Sequence, residues 1–281
     1  MIKGAREAVL KYQEMDISTV DKRGRLVETG HTAGIMSLLE GVDGLMDDTR
    51  RFTLIKDDRA TTVGVAGGPQ AGLPFDVVIK RFNYKGALHS MAKRFSGTRA
   101  RRLYGLTLEL FKRGLGVPDP IGFLEDVRGR NSFYVSKFIA GAENLALMWK
   151  DGRFEEPHAL TAALAGAIAG WHARGAVHGD LKWSNMLVKK GGRVPTCFFI
   201  DLDNARLYPE ANLKGMVKDL ERFYRYALRL GAREWVDEEF LPAYLKALPE
   251  RIREKIGPDR INKIREDAGK KSARKRAGCG S

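Results

Sequence analysis

One short stretch of the chain has several polar residues at a characteristic spacing. It reads His178-Gly179-Asp180-Leu181-Lys182-Trp183-Ser184-Asn185, so an aspartate stands five residues before an asparagine. Asp201 and Asp203 follow directly after Cys197-Phe198-Phe199-Ile200, an apolar run that predicts a buried strand. A proton-accepting carboxylate near two further oxygen donors is the arrangement that phosphoryl transfer requires. The spacing therefore predicts a phosphotransferase fold that brings the two segments together.

The types of side chain suggest a role for each residue. Asp180 is the candidate general base, because a hydroxyl is a weak nucleophile until its proton has an acceptor. Asn185 and Asp201 are candidate Mg²⁺ ligands, because Mg²⁺ prefers hard oxygen donors. Lys182 is placed to neutralise charge on the transferring phosphoryl group. The structural alternatives are a capping aspartate, a turn asparagine and a solubilising lysine, and the complete string argues against them.

Three nearby residues have more than one interpretation. Asp203 either contacts a second metal ion or braces its loop. His178 is expected to pack and hydrogen-bond rather than to take part in the chemistry. Asp219 lies at the head of an amphipathic helical pattern, where it either accepts backbone N–H groups from the segment 178–185, called the catalytic loop below, or is an ordinary surface acid.

The elements follow the order of an α+β fold, with a small antiparallel sheet first and helices afterwards. The expected strands are 52–55, 61–65, 76–82, 123–125 and 132–136, with a helix over 99–113. From Asn144 onward the pattern is mainly helical. We expect a bilobal molecule with an N-terminal extension (1–50), an N-lobe (51–140), a C-lobe (141–250) and a flexible basic tail (251–281). Lys80 ends the β-branched run Val77-Val78-Ile79, where it is expected to contact the α- and β-phosphates of ATP.

Charge and cysteine content limit the partners and the compartment. The formal net charge of +14 predicts an anionic partner. With only two cysteines, a disulfide framework is excluded and a reducing compartment is favoured. The longest apolar stretch, Ala159 to Trp171, is too short to span a bilayer and predicts a buried helix. No signal-peptide pattern opens the sequence. We expect a cytoplasmic protein, with a peripheral position on a membrane as a further expectation.

These residues resemble the protein-kinase-like superfamily and, within it, the lipopolysaccharide core kinases of the Kdo/WaaP family. The matching strings are 78–82, 99–102 with 116–120, 178–185, and 200–206 with 218–220. The resemblance covers roughly residues 52–230 and implies a bilobal kinase fold that uses ATP and Mg²⁺. It also implies that the enzyme phosphorylates a hydroxyl of an inner-core sugar (Kdo or heptose) on a lipid A-linked glycolipid at the cytoplasmic face of the inner membrane.

The chain departs from the protein-kinase pattern in three places. No acid occurs between Lys80 and Glu109, so either Glu109 pairs with Lys80 or the pairing is absent. No glycine-rich loop precedes Lys80, and Lys56 and Arg59 of the first strand connection are the candidates to reach phosphate instead. Gly179 stands where protein kinases have the arginine of the His-Arg-Asp motif.

The region after Asp201 bears on the substrate. The next helix is predicted near Leu213, which leaves little room for a long activation segment and disfavours a peptide substrate. A phosphate- and carboxylate-rich sugar core would suit eight basic residues in an acid-free stretch, whereas the alternative is a solvated helix face. They are Lys80, Arg81, Lys85, Lys93, Arg94, Arg99, Arg101 and Arg102. The basic tail would favour an anionic membrane surface.

Other functions remain open from the sequence. One is a soluble kinase of the aminoglycoside or choline type, although the basic balance of the chain disfavours cationic substrates. Another is an atypical protein kinase. A non-enzymatic alternative is a pseudokinase scaffold, against which the intact set of Lys80, Asp180, Asn185 and Asp201 argues. Nucleic-acid binding has only the net charge in its favour and is not expected.

Overall fold

The computed structural model describes residues 19–20, 26–27, 38, 41–83, 98–125, 131–154, 157–192 and 194–277. The chain divides into two compact units. The first comprises Met1–Gly114 and Pro118–Ala140, and the second comprises Leu115–Val117 and Gly141–Ser281. Most of the N-terminal extension, and the basic residues Lys85, Lys93 and Arg94, lie outside the described residues.

An antiparallel sheet of five strands forms the first unit. Two short paired strands, β1 (Thr19–Val20) and β2 (Leu26–Val27), and helix α1 (Val42–Asp47) come before it in the chain. The sheet strands are β3 (Phe52–Asp57), β4 (Thr61–Ala66), β5 (Val77–Phe82), β6 (Pro120–Glu125) and β7 (Ser132–Lys137). Their spatial order is β3-β4-β5-β7-β6. The first three strands form the expected meander, and the later pair completes the same sheet rather than a separate one.

The two faces of this sheet have different partners. Val77 and Ile79 on β5 are fully buried in a core that includes Val42 and Leu45 of α1. Burial of an aliphatic side chain of this size stabilises a fold by about 1.5–3 kcal/mol. Because side chains alternate along a strand, Lys80 points to the opposite face from Ile79.

Helix α2 (Arg99–Lys112) covers part of the face that carries Lys80. Its N-terminus is capped by Thr98, whose side chain accepts a hydrogen bond from the backbone N–H of Arg101 at 3.2 Å. The ring of Tyr104 packs on Phe123 with 5.3 Å between centroids. Phe123 is in register with Tyr134 on β7, which is in register with Lys80 on β5. Helix and lysine therefore lie on one face of the sheet.

Helices make up most of the second unit, with short strands between them. The strands are β8 (Ala142–Asn144), β9 (Ala176–Val177), β10 (Met186–Lys189), β11 (Thr196–Phe199) and β12 (Arg206–Leu207). They form two small sheets, of order β11-β10-β8 and β12-β9. The helices are α3 (Leu145–Lys150), α4 (Pro157–Ala173), α5 (Leu213–Arg229), α6 (Arg233–Trp235), α7 (Leu241–Ala247) and α8 (Glu250–Ala277), with a π-helical turn over Val236–Phe240.

Helix α4 is the buried apolar helix expected for Ala159 to Trp171. Its Leu160, Leu164 and Ile168 side chains are each no more than 1% exposed. Among the described residues, no helix combines the length and the apolar character needed to cross a lipid bilayer.

The C-terminal range differs from the flexible tail that the sequence predicted. Residues Glu250–Ala277 are helical, with a break at Gly257, whose φ is 53°. Beyond the break, Ile261, Ile264 and Ala268 are buried where α8 packs against α5. Lys271 Nζ donates to both carboxylate oxygens of Glu221 on α5, at 2.9 and 2.8 Å. A helix that is buried at apolar positions on both sides of the break, with an ion pair to α5, therefore replaces the expected tail through Ala277.

Candidate active site

The hairpin of β10 and β11 brings the two candidate metal-binding segments to one end. Met186 pairs with Phe199, so Asn185 precedes one strand where Ile200 and Asp201 follow the other. The Ile200 N–H donates to the Asn185 carbonyl at 3.0 Å and extends the ladder by one more bond. Polar side chains that are fifteen or more residues apart in the sequence thus share one end of a hairpin.

Asp201 has an uncommon backbone conformation. Its φ of 60° and ψ of 54° are left-handed, and among the described residues no other non-glycine residue has a positive φ. A single 3₁₀ turn, Leu202–Asn204, follows it. The side chains of Asp201 and Asp203 are both exposed to solvent. Strained residues of this kind persist where the surrounding structure holds them, and they concentrate at functional sites.

Asp180, Lys182 and Asn185 contact one another. The Lys182 ammonium lies 3.2 Å from Asp180 Oδ2, and both side chains are about one-third exposed. Asn185 is buried, and its Nδ2 donates to the Asp180 carbonyl at 3.0 Å and to Oδ2 at 3.4 Å. The carboxylate is therefore held between a cation and an amide while it stays accessible. Because Asn185 donates through its nitrogen, its Oδ1 is the atom that can coordinate a metal ion.

His178 links the catalytic loop to the end of β11. The backbone N–H of Asp180 donates to His178 Nδ1 at 3.3 Å, so Nδ1 is the unprotonated nitrogen. His178 Nε2 then carries the proton and donates to the Ile200 carbonyl at 3.1 Å. Burial lowers the pKa of His178, more strongly than the carboxylates of Asp219, Asp180 and Asp201 raise it. A neutral histidine of one tautomer thus positions both segments, as a packing and hydrogen-bonding role requires.

Asp219, on α5, is fully buried and holds the catalytic loop through two hydrogen bonds. Its Oδ2 accepts the His178 N–H at 2.6 Å, and its Oδ1 accepts the Gly179 N–H at 2.8 Å. Of the two interpretations of Asp219, the structure confirms the acceptor of loop N–H groups. His172 Nε2 lies 3.5 Å from the same carboxylate, and its Nδ1 is 2.8 Å from the Tyr244 hydroxyl. Burial, together with the charge of Asp219, raises the pKa of Tyr244.

His172 and Tyr244 were not among the residues predicted from the sequence. They lie 72 positions apart, on helices α4 and α7, and both are buried. No local motif marks either residue, because their relation to Asp219 exists only in the folded chain.

The conformation of Gly179 explains why a glycine stands where protein kinases have the arginine of the His-Arg-Asp motif. Its φ is 75°, and a Cβ at this position would lie 2.4 Å from the carbonyl oxygen of Asn204. A side chain would therefore meet both a left-handed backbone and a close main-chain contact. The arginine of the His-Arg-Asp motif cannot be accommodated here without moving the segment after Asp201.

Lys80 lies in the first unit, in the centre of its sheet. It pairs with Val63 on β4 and Tyr134 on β7, is 9% exposed, and its Nζ is 5.4 Å from the centre of the Phe82 ring. Glu109 of α2, by contrast, is exposed and lies 3.9 Å from Lys112.

The turn between β3 and β4 contains Lys56 and Arg59. Asp58 Oδ1 accepts the N–H groups of Ala60 and Thr61 at 2.7 and 2.8 Å, and its Oδ2 lies 2.8 Å from Lys56 Nζ. The hydrogen bond from Lys56 and these two N–H groups lower the pKa of Asp58. A side-chain-capped turn thus stands in the place of a glycine-rich loop, and Arg59 is exposed on it.

The oxygen donors at this end of the hairpin match the part of the Mg²⁺ coordination shell that a protein usually supplies. Among the described residues, no group of three or more histidine, cysteine or acidic side chains is arranged to hold a metal ion by itself. Mg²⁺ usually takes only one or two protein carboxylates and completes its shell with phosphate oxygens and water. Asn185, Asp201 and Asp203 at one hairpin end match that pattern.

Comparison with known proteins gives two findings. A model of the lipopolysaccharide kinase (Kdo/WaaP) family matches residues 76–244. A solved structure described as WaaP in complex with acyl carrier protein is similar with a TM-score of 0.60, at 19% identity, over 83% of this chain and 91% of that chain. The second finding confirms the kinase-like α+β fold.

The family match includes Lys80 and all candidate residues from Asp180 to Asp203, whereas Lys56 and Arg59 fall outside it. It covers more than half of the chain and confirms that the protein is a kinase. The chain belongs to the lipopolysaccharide kinase (Kdo/WaaP) family.

Proposed function

We propose that the protein transfers the γ-phosphoryl group of ATP, with Mg²⁺, to a hydroxyl of Kdo or heptose in the lipopolysaccharide inner core. The observation that carries this proposal is the Asp180 carboxylate, held between Lys182 and Asn185 within the region that matches the family. Asp180 Oδ2 faces those two residues, so Oδ1 is the oxygen that would receive the proton of the acceptor hydroxyl. The acceptor oxygen bonds to phosphorus as the bond to the ADP oxygen breaks.

The remaining site residues have separate tasks in this proposal. Lys182 offsets charge on the phosphoryl oxygens, and Asn185, Asp201 and Asp203 would hold Mg²⁺, which neutralises and orients the phosphates when bound. Lys80 would contact the α- and β-phosphates, and Lys56 and Arg59 would supply further cations in place of a glycine-rich loop. Charged groups held in place in this way typically provide much of the acceleration of phosphoryl transfer.

Two observations support an anionic small molecule or glycolipid as the acceptor rather than a peptide. Helix α5 starts at Leu213, so the chain after Asp201 forms only a 3₁₀ turn, β12 and a short link. In addition, Arg99, Arg101 and Arg102 occupy the first turn of α2, where positive charge opposes the helix dipole. The planar guanidinium group of arginine is well suited to bind phosphate or carboxylate groups.

We also propose that the protein is cytoplasmic and binds the anionic face of the inner membrane from that side. The charge of +14 supports this proposal. Lys270 and Lys271 of the basic C-terminal range are paired with Glu266 and Glu221, so the contribution would come from residues 274–276. Each basic residue near such a surface contributes about 1 kcal/mol.

Transfer of labelled γ-phosphate from Mg·ATP to purified Kdo-bearing lipid A, or to deep-core lipopolysaccharide, tests the proposed function. We expect Asp180→Asn to lower the rate by about 10²–10⁴-fold while nucleotide affinity is retained, because the base acts on the acceptor. Asp259→Asn, which makes the same charge change at an exposed position of α8, is the matched control and should keep full activity.

Label in the glycolipid that depends on Asp180 would support the core sugar kinase. Activity only on a soluble amino alcohol or aminoglycoside, or on a protein, would contradict the lipopolysaccharide acceptor while leaving the kinase intact. Equal rates for wild type and Asp180→Asn would show that Asp180 is not the base.

A further inference from the structure

A groove of about 450 Å³ opens on the second unit, and neither the proposed chemistry nor the family match gives it a role. Its walls come from the end of α3, the turn after α5, and the α6 and π-helical segment. The lining residues are Trp149, Phe154, Gly231, Ala232, Glu234, Trp235, Glu238 and Glu239. A volume of this size is typical of sites for small ligands.

Three aromatic rings form the apolar part of the groove. Phe154 lies 5.1 Å from Trp149 and 5.1 Å from Trp235, and the two indoles are 5.7 Å apart between centroids. Trp149 Nε1 donates to the Leu230 carbonyl at 3.1 Å, and Trp235 Nε1 donates to Thr161 Oγ1 at 2.9 Å. Because both indole N–H groups are bonded inside the protein, the rings are fixed. What they offer to the groove is aromatic surface, chiefly from the half-buried Trp149 and Phe154, because Trp235 is only 8% exposed.

The polar part of the groove is acidic, which is unexpected in a chain of charge +14. Of the residues that line it in the described part of the chain, three are glutamates and none is a lysine or arginine. Arg233 is adjacent in sequence but lies 3.5 Å from Asp237 and does not line the groove. Cationic groups gain both from aromatic faces and from carboxylates.

Glu239 points to the same kind of ligand through a separate observation. Its Oε2 atom is buried and accepts no hydrogen bond from the residues that the structure describes, whereas the side chain as a whole is 35% exposed. The His158 ring lies 3.7 Å away but is 93% exposed. Glu238 and Glu239 both belong to the π-helical turn Val236–Phe240. Such turns are rare and are frequently found at functional sites.

We propose that this groove binds a small aliphatic polyamine. Its methylene stem packs on the rings of Trp149, Phe154 and Trp235, and its ammonium groups donate to Glu234, Glu238 and Glu239. Several separated carboxylates match several separated ammonium groups better than a single charge. The binding is independent of the proposed phosphoryl transfer, so neither claim depends on the other.

Isothermal titration of the full chain with spermidine at physiological salt tests the proposal. We expect one saturable site, and a change in tryptophan fluorescence, because two of the four tryptophans line the groove. The variant Glu234→Gln with Glu238→Gln should weaken binding about tenfold, as expected when two partly exposed charge pairs are lost. Both glutamates are exposed, so the fold should be kept.

The matched control is Glu250→Gln with Glu254→Gln, which removes the same charge from exposed positions on α8. It should bind spermidine within about twofold of wild type, because neither residue lines the groove. 1,8-Octanediol, of similar length but uncharged, should not compete with spermidine. Absence of a saturable site in wild type, equal weakening in the two double variants, or competition by the diol would each overturn the proposal.

Discussion

At Gly179 the catalytic loop has a left-handed backbone and no space for a side chain. We expect Gly179→Ala to destabilise the second unit by about 2 kcal/mol or more, from the left-handed backbone and the contact with Asn204. Thermal unfolding measures this effect. Gly166→Ala is the control, because Gly166 is exposed on α4 with open space around it, and alanine there should stabilise by about 0.5–1 kcal/mol. Equal stability of the two variants would contradict the role assigned to Gly179.

His178 makes stability depend on pH in a defined direction. Burial holds its folded-state pKa below the unfolded value of about 6.5. Between those two values only the unfolded chain binds the proton, so this contribution to stability is complete above about pH 6.5 and is lost as the pH falls toward the folded pKa. We expect wild type to lose more stability than His178→Gln between pH 7.5 and 5.5, as measured by urea unfolding. His158→Gln, which changes a 93% exposed ring, should behave as wild type.

At the scale of elements, the strands of the first sheet and helix α4 were predictable because each has a strong local period. Strand β5, for example, is buried at Val77 and Ile79, as its β-branched run predicts. The pairing of β7 with β5 was not predictable, because the register between strands separated by a helix depends on tertiary packing. Most of the candidate site was predictable because its residues lie in two short sequence motifs, 178–185 and 200–203. No local motif marks His172 or Tyr244.

The sequence pattern did not predict helix α8, and the reason is physical. Its buried residues Ile252 and Ile256 precede the break at Gly257, and Ile261, Ile264 and Ala268 follow it. Each half has helical spacing, but the Gly-Pro step at 257–258 shifts one apolar stripe relative to the other. The many charged residues between them then resemble a solvated tail. The apolar spacing is therefore helical on each side of the kink, but it does not form one continuous period across it.

For the whole molecule, α8 is expected to be part of the folded enzyme. Deletion of residues 250–281 should remove the cover of α5, which carries Asp219, and should abolish cooperative unfolding and activity. Each lost isoleucine contact costs about 1.5–3 kcal/mol, against a typical total stability of about 5–15 kcal/mol. Circular dichroism melting and phosphoryl transfer measure both losses.

Deletion of residues 274–281 alone is the control, because it keeps the buried isoleucines and Lys271. This shorter deletion should melt as wild type but sediment less with anionic vesicles. A stable, active protein without residues 250–281 would contradict the structural role of α8. Unchanged vesicle binding after the shorter deletion would contradict membrane association through residues 274–276.

The left-handed backbone of Asp201 affects how substitutions at this position are interpreted. Alanine would remove the carboxylate and, at the same time, disfavour the conformation that φ of 60° requires. Loss of activity in such a variant would not distinguish a missing ligand from a displaced chain. Asparagine tolerates this conformation nearly as well as aspartate does, so it changes the charge while the main chain stays in place. An alanine scan of this enzyme would therefore overstate the chemical importance of position 201, and an isosteric amide would report it directly.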